Sequence, residues 1–81
     1  MSTKYEYELF TSKNLVHPKH KFGGFDNEND IMDVAEQAIV KDKGFVINVY
    51  ELTFKRNKLV NRVKHSSLLR KTNGELHWRK Y

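Results

Sequence analysis

The chain predicts an α+β fold, with one helix packed on one face of a largely antiparallel four-stranded sheet in the order β-α-β-β-β. Three observations predict it. Residues 28–42 carry one apolar stripe at helical spacing. Residues 45–54 are dense in β-branched and aromatic side chains. Asn73-Gly74 separates two further segments of strand composition, a hairpin signal. The 81 residues suffice for a single small domain, 1–81.

The first strand is expected over residues 4–11, where Tyr5, Tyr7 and Leu9 alternate with Lys4, Glu6 and Glu8. Residues 12–26 hold the only proline, Pro18, and the Gly23-Gly24 pair. They read as a long loop of the kind that is functional or mobile, with Phe22 and Phe25 pinning it to the core.

In the helix, Ile31, Val34, Ala35, Ala38 and Ile39 fall on one side. Asp26, Asn27 and Asn29 offer capping oxygens, and Glu28, Asp30 and Asp33 sit near the positive end of the helix dipole. Gly44 is expected to take the left-handed cap. A strand over 45–54 follows. Arg56-Asn57 then turns the chain into a third strand from Lys58, and Asn73-Gly74 turns it into a last strand over 75–80.

Two-residue turns at both places set a register. Phe54 then opposes Leu59, Leu52 opposes Asn61, Tyr50 opposes Val63, and Leu69 opposes Trp78. Opposed residues share a face. Val46, Tyr50, Leu52, Phe54, Leu59, Val63, Leu69, Leu76 and Trp78 are therefore expected under the helix, with Asn48, Asn61 and His65 as polar exceptions. The open face is expected to carry Lys55, Lys58, Arg62, Lys64, Arg70, His77 and Arg79, together with Phe45, Ile47, Val49 and Val60. A bulge at Ser66-Ser67 would shift the second hairpin by one residue.

Charge is divided unevenly. Residues 1–44 hold six lysines against eight acids, net −2, and residues 45–81 hold nine basic residues against two acids, net +7. This asymmetry points to a polyanionic partner. Lys55, Lys58, Arg62, Lys64, Arg70 and Arg79 are the candidate nucleic-acid contacts, with Phe45 placed to stack on a base. The alternative is a protein–protein interaction module, including a homodimer, in which a partner covers Phe45, Ile47, Val49 and Val60.

Other functions find little support. The chain has no cysteine, so disulfides, thiol nucleophiles and Cys-based zinc sites are excluded. His17-Pro18-Lys19-His20 places two imidazoles three apart, but the proline and lysine disfavour a metal site, and no metal or cofactor is expected. Asp30, Asp33 and Glu36 read as solvated helix acids. Trp78-Arg79-Lys80-Tyr81 is similar to the signature tetrapeptide of the plant WRKY DNA-binding domains. The zinc-ligand cysteines of that family are absent, and no residue role is carried over. No phosphate-cradling or nucleophile-elbow motif occurs, so no enzyme is expected. No apolar run is long enough to span a membrane, and a cytoplasmic location is expected.

Overall fold

A computed structural model describes residues 2–11, 18 and 20–81, without the side chains of His20 and Phe22. The elements are β1 (Ser2–Phe10), β2 (His20–Phe25), α1 (Glu28–Lys41), β3 (Val46–Lys55), β4 (Lys58–Arg70) and β5 (Leu76–Lys80). The strands form one antiparallel sheet in the order β2-β1-β3-β4-β5. The helix packs on one face of it.

The fifth strand, β2, lies within the segment read as a loop. Gly23 and Gly24 lower strand propensity, yet both suit this edge strand. Gly24 has φ +89° and is the extra residue at a bulge, since Phe25 pairs with Tyr5 while Gly23 pairs with Glu6. A Cβ on Gly23 would come within 3.1 Å of the Glu6 Cβ. The glycines thus allow a close, bulged pairing with β1. Residues 12–17 and 19, including His17 of the histidine pair, lie outside the described residues.

The helix matches the expected span to within one residue. Asn27 caps it, its side chain accepting from the Asn29 N–H at 2.7 Å. At the other end Lys43, not Gly44, takes the left-handed conformation, with φ 53°. The Gly44 N–H donates to the Ile39 carbonyl and the Lys43 N–H to the Val40 carbonyl, the Schellman pattern. Gly44 is needed for space: a Cβ there would lie 2.9 Å from Ile39 Cγ1 and 3.1 Å from Leu9 Cδ1.

Of the two turns expected to hold two residues, one does and the other is wider. Arg56 and Asn57 both have positive φ, 53° and 64°, so this pair makes the type I′ turn. At the other hairpin only Gly74 has positive φ, 89°. The Gly74 N–H donates to the Lys71 carbonyl, and the Lys71 N–H to the Glu75 carbonyl. Asn73 accepts through its side chain from the Glu75 N–H at 3.0 Å. This is a wider turn closed by a glycine bulge, and Leu68 rather than Leu69 opposes Trp78.

Two bulges in β4 complete the correction of the register. Phe54 opposes Leu59 as expected, but Val60 is then extra and Leu52 opposes Arg62. His65 is extra in turn, one residue before the anticipated site, and Val49 opposes Ser66. In addition, Tyr7 and Leu9 of β1 pair with Val49 and Ile47. The helix therefore covers Ile47 and Val49, not Val46 and Leu52. The core joins Tyr7, Leu9, Ile47, Val49 and Leu68 to Ile31, Ala35 and Ile39. Phe25, Leu76 and Trp78 pack around it, with the indole Nε1 donating to Glu36 Oε1 at 2.8 Å.

Candidate nucleic-acid interface

Strand pairing arranges the helix-free face of the sheet in cross-strand rows. One row holds Phe10, Val46, Leu69 and His77. The next holds Lys21, Glu8, Asn48, Ser67 and Arg79, and the third Glu6, Tyr50 and Lys64. Lys4, Leu52 and Arg62 follow, then Ser2, Phe54 and Leu59. Phe10, Val46, Asn48 and Leu52 are buried although no element lies over them among the described residues.

Charge on this face falls into two halves. On the β1–β2 side, Glu6 and Glu8 face cations. The Arg62 side chain crosses over the Tyr50 ring, 3.7 Å from its centroid. Arg62 Nε donates to Glu6 Oε1 at 2.7 Å, and Nη2 lies 3.5 Å from Glu8 Oε1. Lys21 Nζ lies 3.3 Å from Glu8 Oε2, and Lys4 pairs with Asp26. Burial would lower the Arg62 pKa, but the hydrogen bond and charge of Glu6, with the charges of Glu8 and Tyr50, hold it above its ordinary value. Burial, then the hydrogen bond and charge of Glu8, raise the Tyr50 hydroxyl against the pull of Arg62.

On the β4–β5 side the cations have no such partners. Neither Lys64 nor Arg79 has a carboxylate within salt-bridge distance among the described residues. Both lie over one ring: Lys64 Nζ is 5.2 Å and Arg79 Cζ 5.6 Å from the Tyr81 centroid. Tyr81 is 61% exposed, yet its hydroxyl sits 2.9 Å from Ser67 Oγ. Ser67 in turn donates to Asn48 Oδ1 at 2.7 Å, and Ser67 and Asn48 are both buried.

The six basic residues read from the sequence are thus not one surface. Arg62, Lys64 and Arg79 share the open face, with Arg62 already neutralised. Lys55 and Lys58 pair at the tip of the β3–β4 hairpin. Arg70 pairs with Leu76 on the helix-facing side and lines a shallow groove with Phe45, Lys43 and Lys71 at the opposite end of the sheet. The apolar set also divides. Ile47 and Val49 are fully buried under the helix, Phe45 is half-buried, and Val60 is 55% exposed at its bulge. The exposed apolar residues of this region are Leu59, Val60 and Val63 on the distal hairpin, where every residue from Lys55 to Lys64 is exposed.

Sequence reasoning missed Tyr81, Ser67 and Asn48 as a connected unit. It also missed a second polar chain on the helix side. There His65 Nδ1 lies 2.9 Å from Ser66 Oγ, and Nε2 lies 3.3 Å from Glu28 Oε1. The His65 ring meets Tyr5 edge-on at 5.7 Å. Ser66 is fully buried, so its hydroxyl has no access to a substrate. This chain ties the β4 bulge to the start of α1. No group of three or more metal-binding side chains occurs among the described residues. No helix among them is long and apolar enough to cross a membrane.

The geometry defines the class as a one-helix α+β domain whose second sheet face is partly cationic and has no helix or strand over it among the described residues. The chain matches no protein-family model, no curated protein and no solved structure.

Proposed function

We propose that this is a small, non-enzymatic, cytoplasmic accessory protein that binds nucleic acid without strong sequence preference, through the β4–β5 half of its open face. The observation that carries this reading is the division of charge. Glu6 and Glu8 neutralise Arg62 and Lys21, while Lys64 and Arg79 stay unpaired beside each other on the same face. Unpaired cations on adjacent strands suit neighbouring phosphates, and the gain on contact is counterion release.

The test is a fluorescence-anisotropy titration with short oligonucleotides at low salt. With two phosphates engaged, log K should fall with log[salt] at a slope of about −1.4 for single strands. Four engaged phosphates would give a slope of about −3. Joint Lys64→Glu and Arg79→Glu should abolish binding with the fold intact. Lys55→Glu with Lys58→Glu should have a smaller effect. Absence of binding at tens of micromolar protein, on the order of the weak non-specific range, would refute the reading.

A second reading, a protein–protein interaction module, is favoured by one observation. Leu59, Val60 and Val63 are 51%, 55% and 45% exposed on the distal hairpin. Leu59 lies on the open face and Val63 on the helix side, and exposed apolar residues on both sides of one hairpin suit a protein partner or a second copy. Sedimentation equilibrium of the wild type and of Leu59→Ser with Val63→Ser tests the self-association form of this reading.

A further inference from the structure

We propose that the Tyr81 ring is a stacking platform for an unpaired base, so that this site takes single-stranded nucleic acid in preference to duplex. This inference rests on the nucleic-acid reading above and adds a ligand class to it. An exposed aromatic side chain normally samples several rotamers, and a contact must overcome the entropy of fixing it. Tyr81 is held at its far end. Its hydroxyl bonds to Ser67, and Ser67 bonds to Asn48, two buried groups at the centre of the sheet. The ring is thus oriented before any ligand arrives, while 61% of the residue remains open.

Lys64 and Arg79 supply the rest of the site. They lie 5.2 Å and 5.6 Å from the ring centre, close enough for a base on the ring to bring its own phosphates to both. An aromatic side chain beside a cationic track is the arrangement that holds single strands with little regard to sequence. A duplex keeps its bases stacked on one another and offers the ring no free π-face. β5 is an edge strand of the sheet, so among the described residues no strand obstructs the approach on that side. Phe45, the aromatic the sequence suggested for stacking, is half-buried and lines the groove at the opposite end with Arg70.

The experiment compares three labelled ligands of equal length at low salt: oligothymidylate, the same strand with abasic sites throughout, and a duplex. Oligothymidylate should bind the wild type about tenfold more tightly than the abasic strand, which carries the same phosphates, in line with one stacked base. Tyr81→Ala should remove that advantage and leave abasic and duplex binding within about twofold of wild type, because it deletes only the stacking ring. Tyr81→Phe keeps the ring but loses the bond to Ser67 that orients it, so its advantage should fall between those of the wild type and Tyr81→Ala. Melting temperatures establish that each variant is folded. Equal binding of oligothymidylate and abasic strand, or equal weakening of all three ligands by Tyr81→Ala, overturns the stacking inference and leaves the electrostatic reading in place. Binding of none of the three overturns both.

Discussion

Beneath α1, β3 buries Ile47 and Val49 against Ile31, Ala35 and Ile39. On its reverse side the same strand buries Val46, Asn48 and Leu52 with no helix or strand above them among the described residues. The first closure uses a separate amphipathic element, and its centre is apolar. The second side carries long polar side chains among its apolar ones: Arg62 bonds to Glu6 and Glu8, and Ser67 bonds to Asn48. A helix-covered face can do little except hold the fold together. A face that carries long polar side chains among its apolar ones keeps charges and a tyrosine ring at the surface, where a ligand can meet them.

The comparison breaks most readily through core deletions. Ile47→Ala should cost about 2–5 kcal/mol, as expected for emptying a fully packed site. Leu69→Ala, on the open face and 37% exposed, should cost about 1 kcal/mol or less. Urea unfolding of both variants measures this. Equal costs would mean that the open face is covered as completely as the other.

A smaller effect sharpens the account of the open face. Arg62→Met keeps an aliphatic stem over Tyr50 but releases Glu6 and Glu8. These partners are partly exposed, so the expected cost is about 1 kcal/mol, and it should shrink in high salt. If the cost is unaffected by salt, the Arg62 contact acts through packing alone.

The smallest effect is a pH dependence on the alkaline side. Tyr5, Tyr7 and Tyr50 hold their protons above the ordinary value of 10.0, in each case chiefly because burial disfavours the phenolate. The folded chain then binds these protons more tightly than the unfolded chain. Their contribution to stability is complete below pH 10.0 and is lost as pH rises through the raised values. Thermal melts should show a falling Tm above about pH 10, and Tyr50→Phe should lessen the fall. An unchanged slope in that variant would contradict the burial of the Tyr50 hydroxyl.

The helix was legible because it announces itself locally, through an apolar stripe, a capping Asn27 and acids in the first turn. The α+β class followed from it. The β2 strand was not legible, because its glycines serve a bulge and a close approach that appear only once β1 lies alongside. The faces were not legible for two reasons. Bulges at Val60 and His65 each shift the pairing by one residue; nothing local marks the first, and the second falls one residue before the Ser66-Ser67 pair where a shift was anticipated. β3 is also apolar on both sides, so alternation could not say which side the helix takes. That choice is made by the pairing of Tyr7 and Leu9 with Val49 and Ile47, a contact between distant parts of the chain. Lys64 and Arg79 could be read from composition, whereas the neutralisation of Arg62 depends on acids 54 and 56 positions away.

The central claim is that the unpaired cations and the ring of the β4–β5 half meet the ligand, and the neutralised half does not. Backbone amide chemical shifts, followed while oligothymidylate is added to labelled protein at low salt, test it most directly. The account predicts changes concentrated at Lys64, Ser67, Arg79 and Tyr81, with small changes at Glu6, Glu8 and along α1. Changes confined to the hairpin tip around Leu59 and Val60, to the helix, or to none of the chain would contradict it.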